Sequence, residues 1–162
     1  MTEFQLASIC SRLSSGKGIR SSELSDSGAY PVIGGNGERG RTTTYNFDGQ
    51  CAVIGRQGAN CGNVRFFEGR AFMTEHAVVV QTNDKADTRY LAYLLSTMHL
   101  GNLSAQSAQP GLSVRTLAKQ IVELPSIAVQ QQVSQFLASF DREIQLLNQL
   151  NGHLLEQFEL TA

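Results

Sequence analysis

The sequence predicts an α+β protein: a compact β-rich domain with a few short helices over residues 1–125, then a long C-terminal coiled-coil helix over 126–162. Three observations carry this. Twelve of the 15 glycines precede residue 70, where they punctuate short β-branched and aromatic runs. After Asp87 the apolar period lengthens from that of a strand to that of a helix. In the last quarter, Val133, Leu137, Phe140, Ile144, Leu147, Asn151, Leu154 and Phe158 recur at alternating spacings of four and three. That is a heptad seam, with Leu137, Ile144, Asn151 and Phe158 at a.

Taken in order, Phe4–Cys10 alternates apolar and polar residues as a half-buried strand does, and Ser14-Ser-Gly-Lys-Gly18 breaks it. Ala29–Ile33 reads as a short strand whose Pro31 suits an edge or a strand start. Gly34–Gly40 reads as a mobile loop, Thr42–Phe47 as a strand, and Asp48-Gly49 as a hairpin turn. Cys51–Gly55 is a further strand, followed by a second Gly-rich loop, Arg56–Gly62. Asn63–Phe67, a turn at Glu68-Gly69, Ala71–Met73 and His76–Gln81 continue the sheet.

Asp87 is a candidate cap for a helix over Thr88–Met98, whose Tyr90, Leu91, Leu94, Leu95 and Met98 form one apolar face. Gly101–Gly111 is a polar loop, Leu112–Lys119 holds a helical turn, and Gln120–Leu124 is a last strand. Pro125 and Ser126 form a hinge, with Ser126 a candidate cap for the long helix. Asn151-Gly152 is a turn signal inside that helix, yet Leu154 keeps heptad phase beyond it. One continuous helix of roughly 50 Å is expected at 1.5 Å per residue. Its narrow seam calls for a second long helix to cover it, the plain alternative being a terminal helix that lies on its own domain.

Composition narrows the function classes. With 162 residues, 41% hydrophobic and 17% charged, the chain is a globular domain plus an appendage. No apolar run reaches the roughly 18 residues of a membrane helix, and Met1–Gln5 lacks signal-peptide features, so the cytoplasm is the expected compartment. Cys10, Cys51 and Cys61 lack zinc-site spacing and are read as free thiols. The net charge of −1 hides an asymmetry: eight basic and five acidic residues lie between 12 and 70.

Catalytic motifs are missing. Gly35-Asn-Gly-Glu-Arg-Gly40 satisfies the G-x-G-x-x-G pattern and follows a strand. A strand-forming run, Arg41-Thr-Thr-Thr-Tyr, then stands where a dinucleotide site needs a helix N-terminus. His76, His99 and His153 have no ligand pattern around them. The chain therefore reads as non-catalytic, without a cofactor or metal of its own. The two Gly-rich loops carry Asn36, Arg39, Arg41, Arg56, Gln57 and Asn60, with Lys17 and Arg20 upstream and Arg65 just beyond. Arg bonds guanine bidentately, and Asn or Gln bonds adenine. The plain alternative for these residues is a set of solvated turn side chains.

The order of motifs resembles one half of a type I restriction–modification DNA specificity subunit. The matching pieces are Tyr30-Pro-Val-Ile-Gly34, Ala52–Gly58 with Cys61-Gly62, and Thr74-Glu-His-Ala77. Tyr90–Leu95, Gln109-Pro-Gly-Leu-Ser113, and Leu124-Pro125 through Gln131 follow. The resemblance implies a target-recognition domain at 1–125 that reads one half of a bipartite double-stranded DNA target. It implies a conserved helical region at 126–162 that sets spacing and docks methyltransferase subunits. S-adenosylmethionine chemistry would belong to the methyltransferase partner, and a restriction/translocase subunit would join indirectly. The usual subunit carries two of each region. A chain with one of each implies a homodimer through the helix, a piece of a longer subunit, or the specificity part of a related system. Its alternative is a protein-interaction adaptor with a coiled-coil handle.

Overall fold

The computed structural model describes the backbone of residues 1–104 and 111–161, and side chains up to Gln157. The expected loop residues Gln109 and Pro110 and the seam side chain Phe158 lie outside the described residues. The fold is α+β. Its main sheet has six strands in the order β2-β7-β5-β6-β3-β4: β2 (Cys10–Ser15), β3 (Tyr30–Gly34), β4 (Gly37–Thr42), β5 (Phe47–Gly55), β6 (Val64–Met73) and β7 (Ala77–Thr82). A second, two-stranded sheet pairs β1 (Thr2–Gln5) with β8 (Ile121–Leu124), antiparallel.

Four sequence expectations are corrected here. Phe4–Cys10 is not one strand, because Leu6–Ile9 forms a 3-10 turn between β1 and β2. Leu6 and Ile9, three apart, both bury completely, and a 3-10 turn places i and i+3 on one side. Gly34–Gly40 is not a loop but a tight hairpin between β3 and β4 around Gly35-Asn36. Gly37 supplies its positive φ of 100°. Thr43–Asn46 leave the ladder because the Asn46 side chain takes over both backbone bonds to Met73. Its Nδ2 donates to the carbonyl (3.0 Å), and its Oδ1 accepts from the amide (2.7 Å). Finally, Asp48-Gly49 and Glu68-Gly69 are not turns. Gly49 and Gly69 face each other inside the long β5–β6 ladder, both at positive φ.

Those paired glycines bend the ladder rather than reverse it. Met73 bonds Asn46, at the start of β5, while Ala77 pairs with Gly55 at its end. Four residues span at most about 14 Å, whereas a straight nine-residue strand covers roughly 30 Å. The β5–β6 ribbon therefore coils back on itself. Its inner face closes a small core of Ile33, Phe47, Cys51, Val53, Ala71, Met73, Ala77 and Val79. The outer face alternates with it: Ala52, Ile54, Val78 and Val80 pack against Leu6, Ile9 and the helices. Burial in these cores raises the thiol pKa of Cys51 to about 12 and that of Cys10 to about 11. All three cysteines are free.

The helices follow the sequence reading closely. α1 (Thr88–Thr97) is capped by Asp87, whose carboxylate accepts the Tyr90 amide at 2.7 Å. Leu91 and Leu95 bury into the outer core. α2 (Val114–Ala118) is capped by Ser113. α3 (Ile127–Thr161) runs unbroken through Asn151-Gly152. Its first turns pack on α1 and bury Gln130, Ser134 and Ala138. Further along, Tyr93 of α1 donates a hydrogen bond to the Asp141 carboxylate.

Gln130 is the joint. Its Oε1 accepts the Asp87 amide (2.9 Å), and its Nε2 donates to the carbonyls of Pro125 (2.9 Å) and Lys85 (3.5 Å). It is 1% exposed, so no solvent stands in for a lost partner. Gln130→Ala takes the partner from the Asp87 N–H and from the Pro125 and Lys85 carbonyls and is expected to cost about 2 kcal/mol. Urea unfolding checks this; an unchanged midpoint would mean that water replaces the amide.

Candidate nucleic-acid interface

Four chain reversals meet at one end of the main sheet. They are the segment after β2, the β3–β4 turn, the β5–β6 loop and the β6–β7 turn. Glycine lets their backbones touch. An ideal Cβ on Gly35 would lie 3.0 Å from the His76 carbonyl oxygen and 3.3 Å from the Gly55 Cα. On Gly55 it would lie 2.3 Å from the Asn60 carbonyl oxygen, and on Gly16 2.1 Å from that of Met73. No side chain fits at Gly16 or Gly55, and at Gly35 one would require its neighbours to give way. Backbone hydrogen bonds complete the frame: Arg56 N–H to His76 C=O (3.0 Å), Lys17 N–H to Met73 C=O (2.9 Å) and Thr74 N–H to Ile33 C=O (2.9 Å).

This frame gathers most of the sequence-predicted contact residues. Lys17 and Arg39 are exposed on it. Arg65 is exposed at the start of β6 and donates to the Asn36 carbonyl (2.7 Å) and its Oδ1 (3.3 Å), so the two side chains act as a unit. Arg56 is half-buried, with its guanidinium 3.4 Å from Ser15 Oγ. The Leu112 amide donates to its carbonyl (2.8 Å), and Gln57 bridges Gly111. The Gly111-Leu112 segment thus steadies the β5–β6 loop from behind. Gln57 Oε1 contacts His76 Nδ1 (3.1 Å), and Asn60 Oδ1 accepts from Asn63 (3.1 Å).

Two predicted residues stand apart. Arg41, near the far end of β4, spends its guanidinium on the carbonyls of Gly28 (2.6 Å) and Ala29 (3.0 Å) and on Glu38 (3.2 Å). Arg20 precedes a 3-10 turn, Ser21–Glu23, where its amide donates to Glu23 (3.0 Å). Sequence reasoning missed the supports Ser15, Thr74 and Glu75. The buried Thr74 Oγ1 and Glu75 Oε2 lack a hydrogen-bond partner among the described residues, and both sit in the β6–β7 turn. Only the Thr74–Ala77 motif pointed there.

Along α3, Val133, Phe140, Ile144, Leu147, Asn151 and Leu154 are exposed and Leu137 is half-buried. The apolar strip is broader than the heptad seam. Phe136, Leu146, Leu150 and Leu155 are more than half exposed beside it, and Phe136 packs edge-on against Phe140. Among the described residues no helix is long and apolar enough to cross a membrane, and no group of His, Cys, Asp and Glu could hold a metal ion.

Comparison with known proteins is consistent from sequence to fold. The family model described as type I restriction modification DNA specificity domain matches residues 1–156. The chain is 41% identical, over 69% of its length, to the specificity subunit of the type I restriction enzyme EcoprrI of Escherichia coli, covering 28% of that protein. It is 26% identical, over 95% of its length, to a putative type I specificity subunit of Mycoplasma pneumoniae, covering 43% of it. The chain thus spans less than half the length of these relatives. The fold is that of the type I S subunit from M. genitalium, at TM-score 0.82, 19% identity, and coverage of 92% of this chain and 41% of that one. The HsdS subunit from Thermoanaerobacter tengcongensis is similar at TM-score 0.66 and 15% identity, with 90% and 38% covered. The chain belongs to the type I restriction–modification DNA specificity domain family.

Proposed function

We propose that this chain is a non-catalytic DNA-recognition module that directs a type I adenine methyltransferase and restriction complex to one half of a bipartite target. The observation that carries this reading is the convergence of Lys17, Asn36, Arg39, Arg56, Gln57 and Arg65 on one glycine-locked end of the sheet. These side chains match base-edge and phosphate chemistry, and the chain's family supports the same role. No cofactor of its own is needed. S-adenosylmethionine would sit on the modification subunit, the restriction subunit would join through it, and the assembly would work in the cytoplasm.

In this proposal residues 1–125 read DNA and residues 126–162 act as spacer and dock. Two copies pair through Val133, Leu137, Phe140, Ile144, Leu147, Asn151, Leu154 and Phe158, presenting two recognition domains to a two-fold symmetric split sequence. The flanking Phe136, Leu146, Leu150 and Leu155 remain open for the modification subunit. The width of the exposed apolar strip supports this division, because one two-stranded seam covers only a and d positions. Read as an adaptor for another protein, the chain would need the same apolar strip, and its net charge of −1 suits that role.

Gel-shift measurement of the chain assembled with its modification subunit separates the two readings. Sequence-dependent binding that weakens steeply with salt is expected; no sequence preference in that complex would sink the DNA reading. Arg56→Ala is expected to cost about 1–3 kcal/mol for the cognate duplex and little for a scrambled one. Leu147→Asp places a charge in the seam and is expected to turn a dimer into a monomer. An unchanged sedimentation coefficient for that variant would remove the seam assignment.

A further inference from the structure

Beside the interface lies a cleft of about 420 Å³ between the start of β6 and the C-terminal end of α1. Asn63, Val64 and Arg65 form one wall; Ser96, His99 and Asn102 form the other. Sequence reading treated α1 as a core helix and the segment after it as a polar loop, so this second wall was not among the candidate residues. The floor is built with unusual closeness. Gly62 has φ +84°, and an ideal Cβ there would lie 2.0 Å from the Gly101 amide nitrogen. A Cβ on Gly101 would in turn lie 2.7 Å from the Cys61 carbonyl oxygen. Two glycines thus let the β5–β6 loop lie directly on the chain that follows α1, and the two walls are held at fixed separation.

The lining has one chemical bias. It contains no carboxylate, and Arg65, His99 and Asn102 can all offer N–H groups to an anion. His99 is the one described non-glycine residue at positive φ, 50°. It occupies the left-handed position after the α1 C-terminus that glycine or asparagine usually takes. A backbone outlier of this kind commonly marks a place where a side chain is aimed for function. His99 is exposed, and among the described residues none hydrogen-bonds its ring. Arg65 connects this cleft to the recognition face, because the same guanidinium reaches Asn36 in the β3–β4 turn.

Building on the DNA-recognition reading above, we propose that this cleft seats a phosphate of the DNA backbone where one strand leaves the recognition face. It sets the module's register on the duplex, while Arg56 and its neighbours read bases. Arg65 supplies a fixed charge, and His99 and Asn102 supply further hydrogen bonds to the phosphate oxygens. Such a contact positions the protein without carrying sequence information.

The test uses the full chain assembled with its modification subunit, a cognate duplex and a scrambled duplex, each titrated at several salt concentrations. Asn102→Asp puts a carboxylate into the cleft at an exposed position, and Arg65→Ala removes the charge. Both are expected to weaken binding to the two duplexes by the same factor, roughly 3- to 10-fold. Arg65→Ala should also flatten the salt slope by about 1. Thermal melts confirm that both variants fold. A loss confined to the cognate duplex would make Arg65 a base reader and overturn the phosphate seat. So would unchanged affinity in both variants while Arg56→Ala still lowers cognate binding. Absence of sequence-dependent binding by the parent assembly would instead overturn the recognition reading itself.

Discussion

The arrangement of the whole molecule depends on one buried amide. Gln130 reaches from the first turns of α3 to the backbone in front of α1 and to the chain just before its own helix. Asp87, whose N–H it accepts, is also the residue that caps α1. A neutral side chain able to donate and accept suits the spot, where an unpaired backbone group would be costly. Through it the long helix leaves the domain at a fixed angle, and the Tyr93–Asp141 bond holds the same two helices together further along. Because α1 lies on the outer face of β5, β6 and β7, that angle is set relative to the sheet end where the loops converge.

The loops are fixed by a different device. Short loops bearing long cationic side chains would ordinarily sample many arrangements. Here their backbones are pressed together at Gly16 and Gly55, where any Cβ would collide with a carbonyl oxygen, and at Gly35, where one would crowd it. The frame is therefore independent of which side chains project from it. Arg39, Asn36 or Gln57 can change in identity without disturbing the backbone contacts at these glycines. A rigid frame with variable projections suits a surface that must distinguish one sequence from another.

Much of this architecture was legible in the sequence, and the parts that were not share a cause. α1, α2, β8 and the unbroken α3 follow from caps and periodicity, which are local. The glycines at 49 and 69 were misread as turns because positive φ serves equally to reverse a strand pair or to bend it. Only the long-range pairing of Gly49 with Gly69 decides between these. Leu6 and Ile9 fit both an alternating strand and a 3-10 turn until the core they share is known. Among the site residues, Arg41 looked like its neighbours in composition, and three partners outside the Gly-rich loop's turn absorb its charge. The Ser96–Asn102 wall gave no sequence signal, since it becomes a surface only where Gly62 meets Gly101.

The small β1–β8 sheet has a topological consequence. Thr2 lies opposite Leu124, so the backbone enters the β-rich part of the fold beside the point where it departs toward α3. A polypeptide joined ahead of β1 would emerge at the root of the rod rather than across the globule. The segment between these two strands is thus a closed cassette. An exchange of that segment would leave the joints on either side in their places.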